Sequence, residues 1–252
     1  LHYTVSGASP LSPHDAHFFR GAGIPVLEGY GLTETTAPCT ANTPTRTKVG
    51  TVGIPVPGTT IRVAEDGEIL VKGIGVFKGY HNNAAANAES FVDGFFRTGD
   101  LGSLDQDGFL TITGRKKDLL VTAGGKNVAP GPLEEKIREH ELVLQAVVVG
   151  DGRPFVSALI NLDPEGLENW CAVHKLPVMS PAEAKGSDLV RVALQGAVDE
   201  ANALVSQAES IRSFVVLDAD FTEESGHLTP SLKLKRAAVV RDFAAQINRI
   251  YG

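Results

Sequence analysis

Gly114-Arg115-Lys116-Lys117-Asp118-Leu119-Leu120-Val121-Thr122-Ala123-Gly124-Gly125-Lys126-Asn127-Val128-Ala129-Pro130 is where the chain changes character. A basic cluster gives way to a Gly-rich turn, and Pro132 then opens a short helix in which Glu134 and Arg138 stand four apart, the spacing of a helical ion pair. Before this stretch the pattern is one of short alternating strands and tight turns. After it, helical and strand patterns alternate. The spacing therefore places a domain boundary at 114–118.

Working outward toward the N-terminus, residues 101–104 and 109–113 alternate around Asp107-Gly108, and residues 60–64 and 68–72 around Asp66-Gly67, both hairpin turn pairs. Residues 49–114 read as a small β-barrel or meander. Further upstream, residues 1–6 read as a short buried strand. Ser12, Pro13 and Asp15 supply the cap, first turn and acidic start of a helix ending near Gly21 and Gly23, and 25–28 returns as a strand. This strand, helix, strand unit over 1–48 predicts the edge of a parallel α/β sheet. Toward the C-terminus, 144–149 and 155–161 form a hairpin across Asp151-Gly152. Ser180-Pro181-Ala182-Glu183 is a capping box for a helical region running to about Gln207 with a break at Gly186. A strand follows at 214–217. The last helix sets Val239, Val240, Phe243, Ile247 and Ile250 on one face, so 115–252 reads as an α+β domain.

Composition narrows the classes. With 252 residues, 42% of them hydrophobic, the chain can form one large domain or two smaller ones, and a net charge of -7 without a basic stripe excludes a nucleic-acid partner. Cys39 and Cys171 are too few for a disulfide framework or a zinc site and read as buried thiols in a reducing cytoplasm. No apolar run approaches the roughly 20 residues of a spanning helix, which leaves peripheral contact with the inner membrane face open. His14 and His17 lack a third ligand at metal spacing and read as surface residues. The chain starts at Leu1 without an initiator Met, with residues 4–6 already in mid-fold, so a fragment is expected.

Several stretches carry chemistry, each with a plainer alternative. Glu28-Gly29-Tyr30-Gly31-Leu32-Thr33-Glu34-Thr35-Thr36 follows a strand, where α/β folds bind ligands: an aromatic can stack a base, hydroxyls can bond phosphate and a carboxylate can hold Mg²⁺. An ordinary polar turn is the alternative. Arg97-Thr98-Gly99-Asp100 offers two carboxylate oxygens to a ribose diol, or else is an Asx-type turn ahead of the hairpin. Arg115 at the boundary can clamp ribose or phosphate, or the charge run is a solvated face. The 122–130 loop is not a Walker A motif, because position 120 is Leu and Asn127 replaces the Ser/Thr. Gly73-Ile74-Gly75 lacks the third glycine of a dinucleotide fingerprint. Leu228-Thr229-Pro230-Ser231-Leu232-Lys233-Leu234-Lys235-Arg236 places basic residues where they oppose a helix dipole, so a Lys reaching into a site competes with a basic helix flank. Trp170, with Leu167 and His174, reads as packing.

Taken in order, Val5-Ser6-Gly7-Ala8, Tyr30 to Glu34, Gly67-Glu68-Ile69-Leu70-Val71-Lys72-Gly73, Thr98-Gly99-Asp100, Gly114-Arg115 to Pro130 and Pro230 to Lys233 resemble the successive motifs of the adenylate-forming ligases. The 114–130 and 228–236 stretches resemble bacterial long-chain fatty acyl-CoA ligases, although many members have Gly at the position of Leu232. The resemblance implies the C-terminal portion of such an enzyme: the edge of an α/β sheet and a small β-barrel subdomain over 1–114, then an α+β lid domain over 115–252. It implies ATP-dependent activation of a fatty acid as acyl-AMP and transfer to coenzyme A, with ATP/AMP and Mg²⁺ bound. Gly7, Ala8, Gly29, Tyr30 and Gly31 would border the nucleotide, Thr33 touch phosphate and Glu34 hold the metal. Asp100 would take the ribose hydroxyls and Arg115 the ribose or phosphate. Lys117 would be the hinge, Lys233 the adenylation lysine, and Gly124 and Gly125 the loop facing coenzyme A. The family's phosphate loop has no counterpart in these residues, so the chain alone is expected to be inactive. Two other readings stay open: a ligase that delivers acyl-AMP to a carrier protein, and a nucleotide-binding module without turnover.

Overall fold

The structure, a computed structural model, describes residues 2–219 and 221–252. Leu1, the first residue of the strand expected at 1–6, lies outside the described residues. The chain forms two compact units, Leu1–Lys117 and Asp118–Gly252. In the first, β1 (Thr4–Ser6), α1 (Pro13–Gly21) and β2 (Val26–Leu32) make the strand, helix, strand unit, with β1 parallel to β2. Ser12 Oγ accepts the Asp15 N–H at 3.1 Å and Pro13 opens the helix, so α1 begins where its capping chemistry predicts. β1 is not the buried strand expected: Val5 is 75% exposed, on a strand paired along one side only among the described residues. β2 outruns residue 28. It continues through Tyr30 to a single 3-10 turn at Thr33–Thr35 and returns as β3 (Ala37–Ala41), flanked by β4 (Ile54–Pro55).

Five further strands make one antiparallel sheet: β5 (Thr59–Val63), β6 (Glu68–Gly73), β7 (Phe91–Val92, after α2 at Ala84–Ser90), β8 (Phe95–Leu104) and β9 (Leu110–Arg115). Among the described residues no pairing closes β5 onto β9, so the barrel-like element is an open half-barrel. Ile61, Ile69, Val71 and Leu110 fill its core beside Cys39. β8 corrects one expectation. Its ten residues begin at Phe95, so Asp100 lies inside a strand and not in a turn ahead of the hairpin. One edge of β8 meets β6, and from Asp100↔Arg115 to Leu104↔Leu110 the strand pairs with β9.

In the second unit a small ribbon of β10 (Leu120–Val121) and β11 (Asn127–Val128) leads into α3 (Pro130–Arg138). The central sheet is β12 (Val143–Val149), β13 (Val156–Leu162) and, after α4 (Pro164–Val173), α5 (Pro181–Ala184) and α6 (Asp188–Asn202), β14 (Ile211–Leu217). All seven positions of β13 are buried, because both sheet faces are covered and alternate side chains serve opposite layers. Ala158 and Ile160 join Leu133, Ile137, Trp170 and Leu194 on one side, while Leu159 joins Val147, Val149, Val239 and Phe243 on the other. Trp170 lies 4.3 Å from the His174 ring centroid and is packing, as read.

Three helix expectations change. α3 starts at Pro130, two residues before Pro132, and Glu134 does not pair with Arg138. Glu134 accepts the Val148 N–H at 2.6 Å and the Arg236 guanidinium at 2.6 Å, and Arg236 also donates to the Val148 carbonyl at 2.8 Å. The capping box closes in both directions and the break at Gly186 is present, but α6 stops at Asn202 and not near Gln207. The last helix is two, α7 (Arg236–Asp242) and α8 (Ala244–Tyr251), interrupted at Phe243, and Val240 is 39% exposed while Val239, Phe243 and Ile247 pack inward.

Candidate functional site

In the first unit the adenine- and ribose-reading candidates meet on β2 and β8. Tyr30 on β2 donates its hydroxyl to Asp100 Oδ2 at 2.6 Å, and Arg115, the register partner of Asp100 on β9, donates Nε to Oδ1 at 2.8 Å. The Asp100 side chain is 5% exposed and that of Arg115 50%, so the carboxylate is held from inside while the guanidinium reaches solvent. Burial, and then the Asp100 charge, push the Tyr30 phenol well above its ordinary range, which keeps it a donor. Each carboxylate oxygen carries two acceptor positions, and among the described residues one on each is taken.

Asp100 is positioned by neighbours to which the sequence reading assigned no role. Thr98 Oγ1 donates to the Ile69 carbonyl at 2.7 Å and accepts the Asp100 N–H at 3.0 Å. Glu68, 3% exposed, accepts the Gly99 N–H at 3.2 Å, both Nε and Nη2 of Arg97, and Lys116 Nζ at 3.1 Å. Burial raises its pKa, but the Arg97 and Lys116 hydrogen bonds outweigh that and hold it below the usual value. In the sequence Glu68 stood out only by its place after the Asp66-Gly67 turn and within the Gly67 to Gly73 motif, with no role assigned to it.

Glu34 and Thr33 lie in the 3-10 turn that ends β2. Glu34 Oε1 accepts the Tyr80 hydroxyl at 2.9 Å. Tyr80 was not singled out from the sequence. Among the described residues no group of three or more His, Cys, Asp or Glu is arranged to hold a metal. A single accessible carboxylate nonetheless suits Mg²⁺, which is commonly bound through one or two carboxylates with substrate phosphates completing the shell. The glycines divide by cause. At Gly31 a Cβ would meet the Ala37 carbonyl oxygen at 2.2 Å, so β3 itself requires that glycine. At Gly7 and Gly29 the nearest contact would be 3.3 Å, with Gly7 against the Gly29 carbonyl; the two glycines directly follow Ser6↔Glu28, the last register pair of β1 and β2.

The charge run is exposed at all three positions, but its first two cations are ion-paired. Arg115 is bound to Asp100, and Lys116 to Asp66 at 2.6 Å as well as Glu68. Lys117 is exposed and without an ion pair among the described residues.

In the second unit Gly124 and Gly125 tip the β10–β11 ribbon, where Gly125 has φ +76° and no atom would meet a side chain within 4 Å. Ribbon and turn are tied to the β12–β13 turn by Ala123 N–H to Arg153 O at 2.8 Å and Val121 N–H to Asp151 Oδ1 at 2.9 Å. Lys233 is exposed on a tight loop that closes on itself: Thr229 N–H donates to Lys233 O at 2.8 Å and Lys233 N–H to Thr229 Oγ1 at 3.0 Å. Leu232 adopts φ +59°, the left-handed region that favours glycine, and its side chain is thrown outward, 71% exposed. Of the basic residues after it, Arg236 turns inward to Glu134.

Residues 1–81 match the family model described as AMP-binding enzyme, and residues 117–252 match its C-terminal domain. The chain is 51% identical to the long-chain-fatty-acid–CoA ligase FadD15 of Mycobacterium bovis over 249 residues, 98% of the chain and 42% of that ligase. It is 34% identical to the long-chain-fatty-acid–CoA ligase ACSBG1 of Bos taurus, over 97% of the chain and 37% of the relative. The chain thus spans about two-fifths of the length of the curated relatives it matches. Its fold matches O-succinylbenzoate coenzyme A synthetase of Bacillus subtilis in complex with ATP and magnesium ion, with a TM-score of 0.69 and 28% identity over 93% of the chain and 45% of that structure. The C-terminal-domain match alone spans more than half of the residues, and the chain belongs to the AMP-binding, adenylate-forming enzyme family.

Proposed function

We propose that these residues are the nucleotide-reading part and the lid of an ATP-dependent long-chain fatty acid:CoA ligase. The observation that carries the reading is the Asp100 seat: a buried carboxylate held by Tyr30 and Arg115 with one acceptor position open on each oxygen. A ribose diol would donate to those positions, the Tyr30 ring and the Gly7, Ala8, Gly29 and Gly31 backbone would border the adenine, and the Arg115 guanidinium would face ribose or phosphate. Glu34 would hold Mg²⁺, with Thr33 beside it on the phosphates; the ion would supply charge neutralisation for pyrophosphate departure.

Adenylation brings a carboxylate against a phosphate, two anions that repel. A lysine between them offsets that repulsion by roughly 4 kcal/mol for each unit pair at ~4 Å and an effective dielectric near 20. Lys233 is the candidate, on a loop that presents it to solvent. Rotation about Lys117 would exchange it for the Gly124-Gly125 loop, whose open surface leaves room for the pantetheine arm of coenzyme A. We place the protein in a reducing cytoplasm, where the buried Cys39 and Cys171 stay free thiols; among the described residues no helix is long and apolar enough to cross a membrane.

The test joins these 252 residues to the N-terminal portion of the 51%-identical mycobacterial ligase and measures two half-reactions. Lys233→Ala should slow acyl-AMP formation by about a thousandfold, since every ~1.4 kcal/mol is tenfold in rate, while thioester formation from preformed acyl-AMP and coenzyme A changes little. Acyl-AMP formation at the unsubstituted rate would reject the role of Lys233. The 252-residue polypeptide alone should form no acyl-CoA, and measurable turnover by it would overturn that expectation.

A further inference from the structure

The base of the Lys233 loop contains a buried, fully engaged histidine. His227 is 6% exposed. Its Nδ1 lies 2.9 Å from Ser225 Oγ and its Nε2 3.1 Å from Asp242 Oδ2, and the ring sits against Phe221 and Phe243 at 5.3 and 5.4 Å. Its carbonyl accepts the Lys235 N–H at 2.7 Å, and the adjoining Leu228 bridges Leu234. The Lys233 loop therefore leaves the fold and returns to it at this residue.

Proton accounting shows what the ring does. Arg241 grips both oxygens of Asp242 at 2.7 and 3.0 Å, and the Arg241 hydrogen bond first, then His227, hold the Asp242 pKa below its ordinary value. A carboxylate only accepts, so Nε2 carries a hydrogen and donates. Nδ1 then accepts the Ser225 hydroxyl, or donates to it while that hydroxyl serves the Thr222 carbonyl at 3.0 Å. Either way both ring nitrogens are used, one on the turn before the loop and one on the last residue of α7 beyond it. The opposite wall of the loop's return is fastened separately, through Arg236 to Glu134 and the Val148 carbonyl.

We propose that His227, through Asp242, is a positioning residue that holds the Lys233 loop in register. The proposal rests on the reading of Lys233 above for its catalytic consequence, but not for its structural content. His227 itself touches no substrate; it joins the two ends of a loop whose tip contains a residue, Leu232, in the left-handed region, a conformation that persists only when its surroundings over-determine it.

Hydrogen exchange on the 252-residue chain tests the structural content. In His227→Ala the amides of Leu232, Lys233 and Lys235, which bond to Thr229 O, Thr229 Oγ1 and His227 O, should lose about tenfold or more of their protection, while those of β12, β13 and β14 are unchanged. His227→Gln, which retains a donor toward Asp242, should recover most of it. Unchanged loop amides, or loss spread evenly over the whole unit, overturn the proposal. In the joined ligase, His227→Ala should lower the kcat of acyl-AMP formation about tenfold with little change in KM for ATP and none in thioester formation from acyl-AMP, and Gln should rescue it. Equal loss in both half-reactions indicates a merely structural role and also overturns it. If Lys233→Ala spares both half-reactions, the assignment of Lys233 has failed, and the exchange arm still decides whether His227 holds the loop.

Discussion

Tyr30 and Asp100 lie 70 residues apart in sequence and share a 2.6 Å hydrogen bond, so their coupling can be measured independently of any ligand. Tyr30→Phe deletes the hydroxyl and leaves Asp100 Oδ2 buried without its donor. A hydrogen bond to a charged group contributes about 1.5–3 kcal/mol, and because Arg115 still neutralises the carboxylate, the expected cost is about 2 kcal/mol. Asp100→Asn keeps the shape, since an amide can offer its oxygen to Arg115 and its NH₂ to the Tyr30 oxygen. What it loses is the charge. The Arg115 side chain is 50% exposed, so that loss is screened to about 1 kcal/mol. With both changes present the bond lost at Tyr30 is to a neutral amide, worth about 1 kcal/mol and not about 2, and the double variant should fall short of additivity by about 1 kcal/mol. The assay has to read the first unit alone. Trp170 lies in the second, so tryptophan fluorescence is blind to it; native-state exchange at the β8 and β9 amides is not. Additivity within about 0.5 kcal/mol would falsify the claim that Tyr30 and Asp100 form one coupled seat.

Three other outcomes follow from the geometry. The folded pKa of Glu68 is depressed below 4.5, so its contribution is fully present above the unfolded value and is lost as pH falls through the lower folded one; Glu68→Gln should flatten the stability of the first unit across that acid window, followed by exchange at β6 and β8. Leu232 at φ +59° predicts an order of Gly, then Leu, then Val in the exchange protection of the Lys233 amide, with steps of about 1 kcal/mol, because a β-branched residue tolerates that region worst. Glu134→Ala strands the Arg236 guanidinium and the Val148 N–H and should cost about 3 kcal/mol in denaturant unfolding read by Trp170 fluorescence, whereas Arg138→Ala should change it by less than about 0.5 kcal/mol.

The features legible in the sequence are those whose cause is local. Asp66-Gly67, Asp107-Gly108 and Asp151-Gly152 each mark a hairpin because a turn needs positive φ, and Gly67, Gly108 and Gly152 have φ of +83°, +81° and +66°. Ser12 and Ser180 cap helices through hydrogen bonds made three residues away. The misreadings share the opposite property. Glu134 and Arg138 satisfied a helical spacing rule worth a few tenths of a kcal/mol, and a half-buried partner 102 residues away, Arg236, outcompeted it. The Asx-type turn offered as the alternative for Asp100 ahead of the hairpin does not form, because Gly99 at φ +71° is taken up inside a strand that Glu68 and Thr98 anchor from β6 and from β8 itself. Tyr80 and His227 went unnoticed, and Glu68 was quoted within a motif but given no role, for the same reason: a titratable side chain announces its partners only in three dimensions.

The basic run at 115–117 shows how far this matters for the candidate site. Three consecutive cations have no property in the sequence that separates them, and helical or solvated-face reasoning treats them alike. In the fold they meet different acids. Arg115 is spent on Asp100, and Lys116 on Asp66 and Glu68, so moving either would uncover a carboxylate that is 5% or 4% exposed at Asp100 and Glu68. Stranding a buried charge costs several kcal/mol. Lys117, exposed and bound to no carboxylate among the described residues, is the first position of the run at which the backbone can change its dihedral angles without breaking a described ion pair. That energetic asymmetry supports the proposed hinge at Lys117, where the first compact unit ends. It also makes the neighbours a control: loosening Arg115 or Lys116 should weaken the Asp100 seat, whereas a proline at Lys117 should leave that seat intact and impair only the alternation between half-reactions.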